Sequence, residues 1–228
     1  MKKIGIIGGL GPLATVKFME LLNEKLKNIK EEVEIVVIND PTTPDRTAYI
    51  LDNQKENPVA NILEMVKKLE KANVSIIVMP CNTASYFYKE ISNNTNIPFI
   101  NIVKETVEFL KEKNIKKIGL LATEGTIKSG IYKELCNEAS IECFVPNNED
   151  QKNISSIIYD DIKSGKKVDL NKFYKITDKL IGNGCEYIIL GCTELSALKR
   201  IEKLTDNFLI DAMEILANNT IKYLEIKS

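Results

Sequence analysis

Two cysteines of this chain occupy matching places in two similar stretches of sequence. Cys81 follows a mostly apolar run at residues 74–78, and Cys192 follows another at residues 187–190. Each run is typical of a buried parallel strand, and each cysteine is followed by a threonine and the start of a predicted helix. We expect the two thiols to face one site as an acid–base pair. A thiolate would remove a proton from one face of a carbon atom while a thiol protonates the other face, which inverts that carbon.

The sequence contains no histidine, which strengthens this interpretation. A Ser-His-Asp triad and a Cys-His dyad are excluded, and zinc coordination is disfavoured. A free thiol has a pKa of about 8.5 and the N-terminus of a helix lowers it, so we expect one of the pair to be a thiolate. Cys136, Cys143 and Cys185 lie in a predicted helix, in a strand and at the start of a strand, and we interpret them as packing residues. The odd total of five cysteines argues against a disulfide framework.

Several polar side chains follow the ends of predicted strands, where ligands of α/β proteins bind. Arg46, one of two arginines, lies in a polar loop at residues 39–47, where its guanidinium is suited to bind a carboxylate or to remain at the surface. Lys163 is a less specific candidate of the same kind, and Glu194 is suited to orient or protonate a ligand. Hydroxyl and amide groups at strand-to-helix turns suit carboxylate binding or helix capping. These residues are Asn82, Thr83, Thr123, Thr126 and Thr193.

The first predicted strand ends in a glycine-rich turn at residues 8–12. Residues 9–14 fit the G-x-G-x-x-A pattern of dinucleotide-binding proteins, and Asp40 ends the second strand, where a ribose-binding acid would lie. Pro12 lacks the amide that would bind a pyrophosphate, and proline is favoured at the first position of a helix. We therefore prefer a tight turn that brings the backbone close to a small ligand, with Leu10 at the binding site.

The composition restricts the class of protein. The 228 residues carry 31 basic and 32 acidic side chains, a net charge of −1, so there is no basic excess for binding nucleic-acid phosphates. No apolar run reaches the roughly 18 residues of a membrane span. The lysines at positions 2 and 3 lead into a glycine-rich turn and not into the apolar region of a signal peptide. We expect a cytoplasmic protein that binds a small molecule and neither nucleic acid nor a membrane.

Strand-like and helix-like segments alternate along the chain, which predicts an α/β fold with parallel sheets. Residues 2–7 resemble residues 116–121, and the offset between them nearly equals the offset between the two cysteines. We infer a pseudo-twofold duplication: two similar domains, each a parallel four-stranded sheet flanked by helices, with the active site between them. The predicted limits are residues 1–100 plus 211–228 for the N-terminal domain with Cys81, and residues 101–210 for the C-terminal domain with Cys192.

At these motifs the chain resembles the aspartate/glutamate racemase superfamily, and most of all its aspartate racemase branch. The resemblance covers nearly the whole length and rests on stretches at residues 6–12, 44–47, 79–84, 121–126 and 190–195. It implies two similar α/β domains with the active site between them. It also implies racemisation by two cysteines, without pyridoxal phosphate or a metal.

The resemblance assigns roles to individual residues by position. The acid–base pair corresponds to Cys81 and Cys192, and the residues that bind the α-carboxylate correspond to Asn82, Thr83 and Thr193. The residues that reach the side-chain carboxylate or support deprotonation correspond to Arg46 and Lys163. Many members of the family are homodimers, so we expect a homodimer here.

Two positions bear on the substrate. Ser85 stands where family members often have histidine, and Glu194 stands where glutamate racemases tend to have histidine. The Glu194 form favours aspartate over glutamate. We therefore predict a cofactor-independent racemase that interconverts L- and D-aspartate. The alternatives are glutamate or broad-specificity racemisation, another reaction of the superfamily such as maleate isomerisation or decarboxylation, and non-catalytic binding of an amino acid.

Overall fold

The computed structural model describes residues 2–27 and 32–226, so the outer limits of the predicted domains, residues 1 and 228, lie outside the described residues. The strands are β1 (Lys2–Gly8), β2 (Val33–Asn39), β3 (Ile76–Val78), β4 (Phe99–Ile100), β5 (Lys117–Leu121), β6 (Glu142–Phe144), β7 (Tyr187–Leu190) and β8 (Leu209–Asp211). The helices are α1 (Pro12–Leu26), α2 (Arg46–Leu51), α3 (Val59–Lys71), α4 (Tyr88–Ser92), α5 (Ile102–Glu112), α6 (Glu124–Ser129), α7 (Ile131–Glu138), α8 (Asn148–Ser156), α9 (Leu170–Gly182), α10 (Thr193–Ile201) and α11 (Ala212–Ile226). A 3₁₀ turn at Thr83–Phe87 precedes α4, and a π-helical segment at Ile157–Ile162 follows α8. Within the described ranges, no helix is both long and apolar enough to cross a membrane.

The strands form two parallel sheets with the same topology. The strand order is β2-β1-β3-β4 in the first sheet and β6-β5-β7-β8 in the second, so each strand of the first sheet has a counterpart in the second. The central pairs match as well: Ile4 of β1 pairs with Ile76 of β3, and Ile118 of β5 pairs with Tyr187 of β7. The predicted fold, two parallel four-stranded sheets flanked by helices, is confirmed.

Three clusters of buried apolar side chains hold the sheets and helices together. One packs α3, including Ile62, against the first sheet, and a second packs α9, including Phe173, against the second sheet. The third contains residues of both sheets together with Phe18 of α1, Val107 of α5 and Leu216 of α11. Because each buried side chain of this size contributes about 1.5–3 kcal/mol, this shared layer joins the two sheets firmly. Helix α11 packs against both α1 and α5, and its assignment to the N-terminal domain stays a prediction.

Two segments predicted to be loops or turns are the starts of helices. Arg46, predicted in a polar loop, is the first residue of α2, because the Asp45 carboxylate accepts a hydrogen bond from the Ala48 N–H and caps that helix. Thr123, predicted in a turn, caps α6 by accepting a hydrogen bond from the Thr126 N–H. The predicted positions beyond the strand ends are right, but the short helices α2 and α6 are not predicted from the sequence. A side-chain cap stabilises the start of each one.

Candidate active site

A narrow cavity lies between the first half of the molecule (residues 2–100) and the second half (residues 101–211). It is tight, with a volume of about 10 Å³, and lies beyond the carboxyl ends of the strands, as expected for a ligand site of parallel sheets. Ten of its thirteen lining residues are those that the sequence indicates: Leu10, Arg46, Cys81, Asn82, Thr83, Thr123, Lys163, Cys192, Thr193 and Glu194. The other three are Asp45, Thr47 and Tyr159. The structure therefore brings ten of the eleven indicated residues together, while their individual roles stay predictions. Thr126 does not line the cavity, and its hydroxyl lies within hydrogen-bond distance of Thr83 and Thr123.

The two cysteines reach the cavity through similar local structure. Cys81 follows β3 and precedes the 3₁₀ turn, and Cys192 follows β7 and is the N-cap residue of α10. These strands are counterparts in the two sheets. Both thiols are free, and only 8% of Cys81 and 5% of Cys192 is exposed. One reduced, buried thiol from each sheet thus lines the same cavity.

The pKa of each thiol lies above its ordinary value, so the predicted lowering at a helix N-terminus is wrong as a net effect. Burial raises the pKa of Cys81, while the positive charge of Arg46 and a hydrogen bond from the Ala84 N–H lower it. Burial also raises the pKa of Cys192, and the negative charge of Glu194 raises it further. Backbone N–H groups do lower both values, but burial outweighs them. We conclude that Cys81, beside a cation, loses its proton before Cys192, beside an anion.

Glu194 connects Cys192 with groups on other elements. Its Oε2 atom accepts a hydrogen bond from the Cys192 thiol at 3.0 Å, and its Oε1 atom lies 3.9 Å from Nζ of Lys163. A Cβ atom at Gly11 of the first half would overlap with Oε1, so a larger residue there would displace the carboxylate. The carboxylate is therefore a buried hydrogen-bond acceptor for the Cys192 thiol, and it contacts residues of both halves.

The glycine-rich turn after β1 is tight and lies at the cavity. Gly9 has a φ of +84°, in the left-handed region that favours glycine, and a Cβ atom there would overlap with the backbone of Asp40. The Asp40 carboxylate accepts hydrogen bonds from the N–H and the hydroxyl of Thr42, and Asp40 does not line the cavity. This geometry agrees with a turn that brings Leu10 to a small ligand.

The Arg46 guanidinium is anchored to backbone carbonyl groups. Its Nη1 atom donates to the carbonyls of Thr43 and Pro44 at 3.0 and 2.9 Å, and its Nη2 atom donates to the carbonyl of Leu10. Of the five guanidinium N–H groups, this leaves Nε–H and one Nη2–H. The Nε atom is buried and has no hydrogen-bond partner among residues 2–27 and 32–226. A carboxylate can therefore bind the Nε–Nη2 edge, whereas the end of the guanidinium is already occupied.

Hydrogen-bonding side chains from both halves meet beside the cavity. The Thr83 hydroxyl of the first half lies 2.8 Å from that of Thr123 and 2.9 Å from that of Thr126, which are 3.0 Å apart. Asn82 accepts a hydrogen bond from the Tyr132 hydroxyl at 2.7 Å, while its Nδ2 atom is buried without a partner in the described part of the chain. Because unpartnered buried donors are rare, Asn82 Nδ2 is a strong candidate for binding a ligand oxygen.

Three residues that line the cavity, Asp45, Thr47 and Tyr159, are not predicted as site residues from the sequence. Asp45 and Thr47 flank Arg46 and follow from its placement, but neither has a distinguishing pattern of its own. Tyr159 lies in a segment recognised only by its apolar residues. Its spacing of four residues from Lys163, which places both on one helical face, is the available signal. The Tyr159 hydroxyl donates a hydrogen bond to Oγ1 of Thr47 at 3.0 Å, between the two halves.

Comparison with known proteins places this cavity in a wider context. The family model described as Asp/Glu/Hydantoin racemase matches residues 7–220, which include both cysteines. The chain is 27% identical to the broad specificity amino-acid racemase RacX of Bacillus subtilis, over 99% of this chain and 100% of that protein. It is 30% identical to the glutamate racemase of Aquifex pyrophilus, over 94% of this chain and 80% of that protein. The solved structure of the Picrophilus torridus aspartate racemase is similar with a TM-score of 0.81 and 31% identity, covering 99% of this chain and 95% of the other.

Proposed function

Because this chain belongs to the Asp/Glu/hydantoin racemase family, we propose that it interconverts L- and D-aspartate with Cys81 and Cys192 as the two acid–base groups. The family makes it an amino-acid racemase, and the preference for aspartate and the roles of the thiols are our proposal. The observation that carries the proposal is that one buried thiol from each sheet lines the same cavity. Two such groups are what inversion at a carbon atom requires.

In the proposed reaction, the Cys81 thiolate removes the α-proton of one enantiomer and becomes a thiol. The electron pair of the broken C–H bond is delocalised into the α-carboxylate. The Cys192 thiol then donates its proton to the opposite face of the α-carbon and becomes a thiolate, so atoms and charge balance. The other enantiomer reacts by the same steps in reverse. The ammonium group of a bound amino acid adds positive charge beside the buried thiols, which favours the thiolate form.

The cavity offers separate groups for the two carboxylates of aspartate. Asn82 Nδ2 and the hydroxyls of Thr83 and Thr193 are proposed to bind the α-carboxylate, where negative charge accumulates when the proton is removed. The free edge of Arg46 is proposed to bind the side-chain carboxylate with two parallel hydrogen bonds. Its burial supports a strong interaction, because an ion pair is screened little away from water.

A second candidate is a racemase of glutamate or of several amino acids. It is favoured by the similarity to a glutamate racemase and to a broad specificity racemase. Aspartate is favoured by the similarity to the Picrophilus torridus aspartate racemase, at 31% identity and a TM-score of 0.81. Direct comparison of substrates distinguishes the two candidates.

The test incubates the purified protein in deuterated water with each enantiomer of aspartate, glutamate and alanine. Proton NMR measures loss of the α-proton, and chiral chromatography measures inversion. We expect both aspartate enantiomers to exchange and to reach a racemic mixture, with glutamate slower. Binding of aspartate without any exchange would instead support a non-catalytic role.

Substitution of the thiols tests the mechanism. Cys81→Ser and Cys192→Ser should each reduce racemisation by about a thousandfold, the usual contribution of a positioned acid or base. Each variant retains one base and should still exchange the α-proton of one enantiomer, which shows which face each cysteine serves. Cys185→Ser, outside the cavity, is the matched control. Near-normal turnover of either active-site variant would exclude the two-thiol mechanism.

The proposed reaction uses only side chains of the chain. We therefore expect full activity without added pyridoxal phosphate and no inhibition by hydroxylamine, which traps that cofactor.

We also propose that the protein is a homodimer, as its family resemblance implies. Sedimentation equilibrium measures this directly, and a monomer mass at assay concentration would contradict it.

A further inference from the structure

Tyr159 connects the first half of the molecule with the charged groups around Cys192. Its hydroxyl donates a hydrogen bond to Thr47 at 3.0 Å, and its ring centre lies 4.4 Å from Nζ of Lys163. Lys163 lies 3.9 Å from one carboxylate oxygen of Glu194, and the other oxygen accepts the hydrogen bond from the Cys192 thiol. A continuous series of contacts thus runs from Thr47 to Cys192.

The backbone holds Tyr159 firmly on the second half. It lies in the π-helical segment, a rare conformation that is frequent at functional sites. The Lys163 N–H donates to the carbonyl of Ile158, five residues earlier, as this conformation requires. Ile157, Ile158 and Ile162 are buried in the core of the second sheet. This packing leaves Tyr159 and Lys163 to line the cavity.

The partner of Tyr159 is equally well placed on the first half. Thr47 belongs to α2, which packs against α6 of the second half. A Cβ atom at Gly125 would lie 2.8 Å from Cα of Thr47, so the two backbones approach closely there. Burial raises the pKa of the Tyr159 hydroxyl, so this group keeps its proton and donates throughout the working pH range. The hydrogen bond to Thr47 therefore adds a directional contact at a place where the halves already touch.

We propose that Tyr159 is a positioning residue for the Cys192 side of the site. Its hydroxyl keeps the cavity closed through Thr47, and its ring holds the Lys163 ammonium beside Glu194 by a cation–π contact. Closure matters because a site without bulk water strengthens its electrostatic interactions and prevents loss of the transferred proton. This inference rests on the proposed function for its catalytic consequence, but closure of the cavity can be measured without any substrate.

The first experiment measures access to the buried thiols. Iodoacetamide is added to the native protein, and mass spectrometry follows alkylation of each cysteine with time. Loss of one hydrogen bond should increase the population of the open form about fivefold, so Tyr159→Phe should raise the alkylation rates of Cys81 and Cys192 by that factor. The rate at Cys143, which is partly exposed and lies outside the cavity, should not change.

Two further variants separate closure from general destabilisation. Thr47→Val removes the other partner of the same hydrogen bond, so the double variant should be no more reactive than either single one. Tyr174→Phe removes the hydroxyl that donates to Asp206 at 2.6 Å, a similar loss outside the cavity, and should leave both alkylation rates unchanged. The inference is overturned if Tyr159→Phe leaves the rates unchanged, if Tyr174→Phe raises them equally, or if the effects of Tyr159→Phe and Thr47→Val multiply.

Kinetics test the role of the ring and keep this inference separate from the proposed function. Tyr159→Phe retains the ring and should mainly raise KM, whereas Tyr159→Leu also frees the Lys163 ammonium and should lower kcat about tenfold. Equal kcat for the two variants would exclude a role of the ring. If the wild type racemises no amino acid but Tyr159→Phe still exposes the thiols, the proposed function fails and closure by Tyr159 stands. If the wild type racemises aspartate and Tyr159→Phe alters neither the alkylation rates nor KM, the proposed function stands and closure by Tyr159 fails.

Discussion

The hydrogen bond between Cys192 and Glu194 allows a quantitative test of how this site controls its thiols. We consider Glu194→Gln, which keeps the size of the side chain and removes its charge. The carboxylate is buried, and its Oε2 atom accepts a hydrogen bond from the Cys192 thiol at 3.0 Å. A hydrogen bond to a charged group contributes about 1.5–3 kcal/mol and a neutral one about 0.5–1.5 kcal/mol, so the substitution should cost about 1.5 kcal/mol. Because this hydrogen bond stabilises the thiol form of Cys192, weakening it should increase the thiolate-to-thiol ratio of Cys192 at a given pH about tenfold.

The pH dependence of the same variant has a defined direction. The negative charge of Glu194 raises the pKa of Cys192, so removing that charge lowers it. Cys192 must be protonated to donate to the substrate, and the alkaline decline in activity should therefore begin at a lower pH than in the wild type. Because the enantiomers have equal free energies in water, kcat/KM should change by the same factor for L- and D-aspartate. Circular dichroism measures racemisation continuously, starting from either enantiomer, at each pH from 6 to 11.

A matched substitution provides the control for this test. Asp150 is another buried carboxylate of the second half, paired with Lys179 at 2.8 Å and outside the cavity. Asp150→Asn should lower the melting temperature without changing the pH at which the alkaline decline in activity begins. The reasoning about Glu194 is refuted if the alkaline decline in activity of Glu194→Gln begins at the same pH as in the wild type, or if Asp150→Asn shifts that decline equally.

Three further outcomes follow from the same geometry. Arg46→Gln removes the charge that lowers the pKa of Cys81, so the acidic limb of the kcat/KM profile should move to higher pH, while Arg46→Lys should move it less. Gly11→Ala places a Cβ atom against the Glu194 carboxylate and should lower kcat at least about tenfold with the fold intact by circular dichroism; unchanged kcat would contradict this contact. Asp211→Ala removes the cap that accepts from two N–H groups of α11 and should lower the free energy of unfolding by about 1 kcal/mol in urea titrations, with no effect on kcat.

Much of the fold could be predicted because its signals are local. The apolar runs before Cys81 and Cys192 are buried strands, and Pro12 begins α1, as predicted. Short stretches of sequence decide these features, because strand burial, helix capping and the restricted backbone of proline depend on near neighbours. The helix starts at Arg46 and Thr123 were missed because single caps in short polar segments resemble turn signals.

The sequence predicted which residues line the candidate site, but it did not predict the pKa shifts of the two thiols. Ten of the eleven indicated residues line one cavity, since strand ends of parallel sheets converge at one edge, and Thr126 lies outside it. The sign of the net pKa shift at Cys81 and Cys192 depends on how completely the opposite half covers each thiol, and no local pattern records that. The same holds for the Arg46 guanidinium, whose end is occupied by carbonyl groups that include one from the distant turn at Leu10.

The sequence alone determines that two cysteines follow matching apolar strands, that no histidine competes with their thiols, and that a glycine-rich turn follows the first strand. These are properties of residue type and short-range order. Only the tertiary structure shows that both thiols are buried in one cavity, that Glu194 accepts a hydrogen bond from Cys192, and that Tyr159 reaches Thr47 from the other half. The reason is physical: burial, charge and hydrogen bonding at each of these atoms come from segments far away along the chain, and packing of the two halves decides which of them meet.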